Sequence, residues 1–294
     1  MGILLNPGNT DFGRAVNSMI YVDKSELMSY TNDVVNTEQR FICVSRPRRF
    51  GKSMAANMLT AYYSRGCDSR ELFSSYKIAQ EESFDKHLNK YNVIHINMVQ
   101  YLSEAKNVEE MLKFIEEDII GDISDDMPEL KMPRRVTLTN VLDKAFIQYE
   151  IPFVFIIDEW DCVFRNNKID MTSQTLYLDF LRNLIKDQSY VALAYMTGIL
   201  PIKKYGEHSA INVFYEYSMT NAKPISEYTG FTEEEVKEIC EKYNKDYDEM
   251  KRWYDGYCLD SLSVYNPKSV VEAVMRNCYN NYWTSTETYE ALKE

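Results

Sequence analysis

The sequence predicts an α/β fold with a mainly parallel five-stranded sheet, because strand-like and helix-like segments alternate along most of the chain. Five runs are almost continuously apolar, β-branched or aromatic, which is typical of strands covered on both faces. They are residues 40–45, 92–98, 153–158, 191–197 and 213–219. Amphipathic segments separate the first four runs, and this alternation favours a parallel sheet between two layers of helices.

Helical spacing of apolar residues predicts the connecting elements. Four such segments are residues 52–64, 108–119, 138–149 and 176–186. Ahead of the first strand, residues 1–20 are rich in turn formers, so we expect an irregular lead. Residues 20–31 predict a short strand followed by a helix that Asp23 or Ser25 caps.

The pattern changes after about residue 222. Residues 231–243 begin with a capping signature in which Thr232 precedes Glu235 by three positions. Residues 266–279 predict another helix, and residues 253–257 predict a turn between the two. We therefore expect a domain over residues 1–222 and a smaller, mainly helical subdomain over residues 223–294. The last residues keep a helical pattern without a cap, which suggests a truncated chain.

Composition limits the class of protein. The chain has 294 residues, 45% of them hydrophobic and 27% charged, which is enough apolar material for a full core. The net charge of -12 disfavours a general nucleic-acid-coating surface but leaves room for a local basic groove. The six cysteines lack metal-like spacing, no apolar run approaches the roughly 18 residues of a membrane span, and no signal-peptide pattern is present. These features predict a cytoplasmic protein that does not contact the membrane.

The stretch "SRPRRFGKS", residues 45–53, carries the first chemical signal. It ends like the phosphate-binding loop G-x-x-x-x-G-K-[ST], the Walker A motif, but Arg46 occupies the position of the first glycine. An apolar strand precedes it and an amphipathic helix follows, which is the arrangement in which backbone N–H groups and a helix N-terminus meet phosphate. We predict that Lys52 binds the β- and γ-phosphates and that Ser53 binds Mg²⁺. The alternative is that both are merely polar residues of a first helical turn.

The second signal is "FVFIIDEWD", which fits a Walker B motif. Its apolar run delivers Asp158 and Glu159 to the carboxyl end of a strand, where open α/β sheets bind ligands. We predict that Asp158 holds Mg²⁺ with Ser53, and that Glu159 is the catalytic residue that orients or deprotonates water. Thr197, at the end of the next strand, is a candidate to contact the γ-phosphate or that water.

The nucleotide site as a whole takes in the loop and the start of the helix. We expect at least one of the loop arginines to face the nucleotide and to meet the charge of the transferred phosphoryl group. Other arginines, at 134, 135, 165 and 182, cannot be ranked from the sequence. The predicted cofactor-binding residues are Arg48, Arg49, Phe50, Gly51, Lys52, Ser53 and Met54.

The order of the motifs resembles the bacterial AAA-ATPase-like family of predicted P-loop ATPases. The matching segments are "YVDKSELM", "SRPRRFGKS", "FIIDEWD", "MTGILPI", "WYDGY" and "YNP". The resemblance implies a P-loop NTPase three-layer sandwich with sheet order 5-1-4-3-2. It also implies that Arg46 is part of the family's own loop, and it gives Gly51, Lys52, Ser53, Asp158 and Glu159 the roles stated above. Members often carry a C-terminal nuclease-like domain of the PD-(D/E)XK type, and we expect that domain to be missing here because the sequence ends soon after "NYWTSTETYE".

Two functions follow as hypotheses of different kinds. The first is an ATPase that binds ATP and Mg²⁺ and couples the nucleotide state to a conformational change. The second is a nucleic-acid-associated or signalling module that keeps the P-loop fold with little turnover. A nucleic-acid or protein partner, reached through the missing nuclease-like domain, and an oligomeric state both remain open.

Overall fold

A parallel sheet forms the centre of the molecule. The computed structural model describes residues 2–202, 212–259 and 262–282, and within them this core sheet has five strands in the order β2-β3-β4-β1-β5, all parallel. The strands are β1 Phe41–Ser45, β2 Asn92–Asn97, β3 Phe153–Asp158, β4 Val191–Gly198 and β5 Tyr215–Tyr217. Counted from the other edge, this is the order 5-1-4-3-2, so the predicted α/β fold and strand order are confirmed.

Helices cover both faces of the core sheet. The helices are α1 Thr10–Val16, α2 Leu27–Val34, α3 Lys52–Tyr63, α4 Arg70–Phe73, α5 Phe84–His87, α6 Met98–Glu104, α7 Val108–Asp126, α8 Leu138–Tyr149, α9 Met171–Ile185, α10 Glu233–Lys242, α11 Tyr247–Tyr254 and α12 Pro267–Arg276. Side chains alternate along β3, as its pleat requires. Phe155 and Ile157 pack in a core with α6 to α9, whereas Val154 and Ile156 pack in a second core with α1 to α5. The three layers of the prediction are therefore present.

The N-terminal lead differs from its prediction. Residues 10–16 form α1, because Phe12 is buried and stacks on Phe73 with ring centroids 5.1 Å apart. No strand forms over residues 20–24, a stretch that lies within the described part of the chain. The expected caps of α2 are also wrong: the Asp23 side chain accepts from the Ser25 N–H, and the Ser25 hydroxyl accepts from Ile78 N–H.

The described part of the C-terminal segment, which we define as residues 223–259 and 262–282, combines helices with a second sheet. The capping box at Thr232 and Glu235 is present at the start of α10, as predicted. The strands β6 Phe231–Thr232, β7 Asp255–Leu259 and β8 Leu262–Tyr265 form an antiparallel sheet in the order β6-β8-β7. Residues 253–257 belong to the end of α11 and to β7, so the predicted turn is wrong there. The expected ending of the chain lies outside the described residues.

Candidate functional site

A cavity of about 860 Å³ opens at the carboxyl edge of the core sheet. It lies where β1, β2 and β3 end, which is the edge at which parallel α/β sheets bind ligands. The residues that line it are Arg48, Arg49, Gly51, Lys52, Ser53, Met54, Asn97, Val99, Gln100, Asp158, Glu159 and Arg165. The two sequence motifs, far apart along the chain, thus meet in one cavity.

The loop between β1 and α3, residues 46–51, forms one wall. Gly51 has φ +84°, a left-handed conformation that favours glycine, while the space where a Cβ would stand is open. The helix α3 begins at Lys52 directly after this turn, so its first backbone N–H groups lie at the cavity. Such a helix start attracts anions through its free N–H groups and its dipole.

Lys52 spans the loop from the inside. Its Nζ donates to the carbonyl oxygens of Arg46 and Pro47, at 3.0 and 3.1 Å, and the side chain is buried. Burial lowers the pKa of Lys52, and the carboxylates of Glu159 and Asp158 oppose that shift. The lysine is therefore held in place by backbone oxygens with its ammonium group at the cavity wall.

The acidic pair forms the opposite wall, and the hydroxyl of Thr197 joins its two members. Asp158 is buried at the end of β3, and one of its carboxylate oxygens accepts from Thr197 Oγ1. The same Oγ1 accepts from Glu159 N–H at 3.3 Å. Glu159 has φ +58°, an uncommon conformation for a non-glycine residue that aims its side chain into the cavity. Its Oε1 lies 3.9 Å from Lys52 Nζ.

Arg165 completes this wall. Its guanidinium forms a close ion pair with Glu159 Oε2, and its Nε lies 3.4 Å from Asp161 Oδ2. Asp161 is fixed in turn, because its Oδ2 accepts the backbone N–H groups of Ile199 and Leu200 at 3.0 and 2.8 Å. Glu159 thus lies between two cations, Lys52 and Arg165.

Two loop side chains point away from the cavity. Arg46 is completely buried: Nε donates to Thr229 Oγ1 at 2.9 Å, and Nη1 donates to the carbonyl oxygens of Tyr217 and Ser45 at 2.7 and 2.9 Å. Phe50 is also completely buried, in a cluster that includes residues of β7 and β8. The loop therefore faces the cavity on one side and the C-terminal segment on the other.

The structure brings most of the predicted site residues together. Arg48, Arg49, Gly51, Lys52, Ser53, Met54, Asp158 and Glu159 all line the cavity. Phe50 and Thr197 are not among the described residues that line it: the Phe50 ring packs elsewhere, and the Thr197 hydroxyl is already engaged by Asp158 and Glu159. The roles of all these residues remain predictions.

Two features of the site were missed from the sequence. Asn97 ends β2 directly opposite Asp158 in the sheet register and lines the cavity, together with Val99 and Gln100 of α6. The position of a polar residue at a strand end could have indicated Asn97. Arg165 could be selected only once the 3₁₀ turn Trp160–Val163 was known to return it to Glu159.

The residues present fit a magnesium ion bound together with phosphate. Magnesium in proteins is usually bound by one or two carboxylates together with hydroxyl or phosphate oxygens, and it keeps several waters. Ser53 is exposed at the cavity and Asp158 is the buried carboxylate across from it. Among the described residues no group of three or more His, Cys, Asp or Glu side chains could hold a metal ion by itself. A site shared with phosphate oxygens therefore suits this donor set better than a cage made only of protein ligands.

Comparisons with known proteins connect this geometry to a family. The family described as "AAA-ATPase_like: Predicted AAA-ATPase" matches residues 8–207, which include the phosphate loop and the acidic pair. An uncharacterized protein in the vnfD 5' region of Azotobacter chroococcum mcd 1 is 25% identical over 256 residues, with 83% of this chain and 47% of the relative covered. The chain thus spans about half the length of that curated relative.

Two solved structures with a partly similar chain path were bound to nucleotides. The ORC2 protein of Aeropyrum pernix, in complexes with ADPNP and ADP, has a TM-score of 0.40 at 10% identity over 78% of this chain and 55% of that one. AMPPCP-bound DnaA from Aquifex aeolicus has a TM-score of 0.40 at 12% identity, covering 95% and 68%. Within residues 2–202, 212–259 and 262–282, the helices lack the combination of length and hydropathy that a membrane span requires. The family match is the comparison that bears on function.

Proposed function

The chain belongs to the predicted AAA-ATPase family, and we propose that it binds ATP in the cavity at the carboxyl edge of the core sheet and hydrolyses it with Mg²⁺. The family and the fold support nucleotide binding of the ATPase type. One observation carries the finer proposal: Lys52, Ser53, Asp158 and Glu159 converge on one cavity at the start of α3.

Binding follows from charge and backbone geometry. The triphosphate meets the N–H groups of the α3 start, the Lys52 ammonium and the exposed side chains of Arg48 and Arg49. Lys52 changes its partners from loop carbonyls to phosphate oxygens without moving far, since its Nζ already lies at the cavity wall. The loop arginines then add positive charge at the open side of the site.

Hydrolysis requires a positioned metal and a base. When bound, Mg²⁺ neutralises charge on the phosphate oxygens. Ser53 and Asp158 would hold it, and Thr197 keeps Asp158 oriented. Glu159 orients or deprotonates the attacking water, a role for which its carboxylate is already aimed into the cavity. The alternative is a site that binds ATP but hydrolyses it very slowly. Phosphate release by the wild type distinguishes the two.

We propose that nucleotide binding changes the conformation of the C-terminal segment through the side of the loop that faces away from the cavity. Arg46 donates to Thr229, the Phe50 carbonyl accepts from Gly230 N–H at 2.9 Å, and the Arg48 carbonyl accepts from the side chain of Asn266 at 3.4 Å. All three partners belong to the C-terminal segment. We therefore propose that residues 1–222 and 223–294 act as two coupled units, and that the nucleotide reaches the second through the loop.

Purified variants test the assignment. We expect Lys52→Ala to weaken ATP binding by on the order of ten- to hundredfold, because charge-assisted hydrogen bonds are lost. Glu159→Gln should keep ATP binding but slow phosphate release by about 10²–10⁴-fold. The exposed ion pair Lys113–Glu117 on α7 supplies the matched controls Lys113→Ala and Glu117→Gln. Unchanged binding and turnover in both site variants would refute the proposal, and binding without phosphate release in the wild type would favour the low-turnover module.

A further inference from the structure

Glu159 and Arg165 restrain each other in the nucleotide cavity. The guanidinium of Arg165 pairs closely with Glu159 Oε2, while Lys52 Nζ lies 3.9 Å from the other carboxylate oxygen, Oε1. Both partners of the pair are mostly buried, with side chains 18% and 20% exposed, so solvent screens their attraction only in part. The proposed catalytic carboxylate is therefore the shared counter-ion of the two cations nearest to it.

The second contact of Arg165, with Asp161, is an ion pair without a hydrogen bond. Its Nε lies 3.4 Å from Asp161 Oδ2, but this buried nitrogen has no hydrogen-bond partner among the described residues. The contact is thus electrostatic and undirected, whereas Asp161 itself is fixed by two backbone N–H groups. Asp161 keeps the guanidinium near the cavity without fixing its orientation.

The position of Arg165 separates it from the other arginines. It lines the same cavity as Lys52 and Asp158, on the wall that carries Glu159. Arg48 and Arg49 lie at the exposed side of the cavity, and Arg134, Arg135 and Arg182 are not among the described residues that line it. Arg165 is accordingly the semi-buried arginine beside the catalytic carboxylate.

Resting on the proposed function, we infer that Arg165 is the residue by which the site distinguishes a nucleoside triphosphate from a diphosphate. The γ-phosphate carries the charge and the oxygens that compete with Glu159 for the guanidinium. Transfer of Arg165 from Glu159 to the γ-phosphate adds a charge-assisted contact that the diphosphate lacks. It also removes the restraint on Glu159, so the base becomes free when its substrate is present.

Equilibrium binding of AMP-PNP and of ADP to the full chain tests this inference without relying on turnover. We expect Arg165→Ala to lower the preference for AMP-PNP over ADP by about tenfold or more, because the variant loses a charge-assisted hydrogen bond that only the triphosphate analogue makes. Arg165→Lys should retain part of the preference. Arg182→Ala, which removes an arginine paired with Asp179 on α9, is the control and should leave it unchanged.

A double-mutant cycle adds a readout that a purely structural role would not move. Glu159→Gln removes the competing charge, so we expect tighter AMP-PNP binding with little change for ADP, and Arg165→Ala should abolish that gain. Equal losses for both nucleotides in Arg165→Ala, or additive effects of the two substitutions on the AMP-PNP/ADP ratio, would overturn the inference. If the wild type bound neither nucleotide, the proposed function itself would fall.

Discussion

At the residue scale, the hydroxyl of Thr197 holds both members of the acidic pair, Asp158 and Glu159, in place. It donates to Asp158 and accepts from the backbone N–H of Glu159, so one side chain fixes both members. Thr197 is completely buried and is absent from the described lining of the cavity. We therefore regard it as a positioning residue rather than one that touches the phosphate.

Thr197→Val tests this role because it keeps the shape of the side chain and removes the hydroxyl. The free energy of unfolding should fall by about 1–3 kcal/mol, the cost of leaving buried polar groups without a partner. Magnesium affinity or turnover should fall by roughly 10–100-fold, as for other residues that orient a metal ligand. Thr197→Ser keeps the hydroxyl and should behave nearly as the wild type in denaturant titration and phosphate release. Equal turnover in the two variants would contradict the positioning role.

At this scale, local sequence patterns predicted most of the residues that line the candidate cavity, because those residues are adjacent along the chain. Gly51, Lys52 and Ser53 are consecutive, and Asp158 and Glu159 end one apolar strand, so short patterns specify them. Arg165 escaped because its place depends on a 3₁₀ turn and on Asp161, which the backbone after β4 fixes. Residues placed by such long-range contacts leave no local pattern.

At the element scale, the loop of residues 46–51 has Arg46 where the usual phosphate-binding pattern has its first glycine, and this arginine has a structural role. Arg46 joins the ends of β1 and β5 to Thr229 through three side-chain hydrogen bonds, while its own N–H donates to Gly198 O at 3.0 Å. The guanidinium supplies rigidity from the side opposite the cavity. Arg46 is thus part of the loop's framework, and the arginines that line the cavity, Arg48 and Arg49, come later in the loop.

Arg46→Gly would restore the usual loop pattern and should nevertheless destabilise the protein. It leaves the buried Tyr217 carbonyl and Thr229 hydroxyl without their donor and opens a cavity, so we expect a loss of at least about 3 kcal/mol. Arg49→Gly is the matched control, because Arg49 is exposed with φ +69°, where glycine is favourable. Thermal unfolding measures both. A more stable Arg46→Gly variant with tighter ATP binding would show that the arginine is dispensable.

Elements were predictable where their own pattern fixes them. The five core strands and the capping box of α10 follow from local sequence. The helix α1 forms around Phe12, which is held by its stack on Phe73, and such tertiary packing overrides a turn-rich composition. The strands β7 and β8 were missed because each is short and gains stability only from its partner.

At the scale of the whole molecule, the N-terminal region and the phosphate loop both hold the C-terminal segment. Lys24 Nζ donates to the Glu227 carbonyl and to the Glu235 carboxylate at 2.6 and 2.5 Å, in a largely buried contact. Burial lowers the pKa of Lys24, and the Glu235 carboxylate opposes the shift. On the loop side, the Phe50 ring meets Tyr257 edge-on at 4.9 Å. Phe50 thus places the loop in direct contact with β7.

Hydrogen exchange with and without ATP measures this coupling. Ligand at 100 times its dissociation constant stabilises a coupled unit by about 2.7 kcal/mol, which slows exchange of its amides by up to roughly a hundredfold. We expect this slowing in α3 and β1 and also in β6, β7 and β8. Phe50→Leu keeps most of the buried volume and should preserve the response, whereas Phe50→Ala should weaken it in β7 and β8, because the truncated side chain no longer reaches Tyr257. If the C-terminal strands respond to ATP equally in both variants, the coupling does not pass through the Phe50 ring, and the Arg46–Thr229 hydrogen bond and the Lys24 contact become the routes to test.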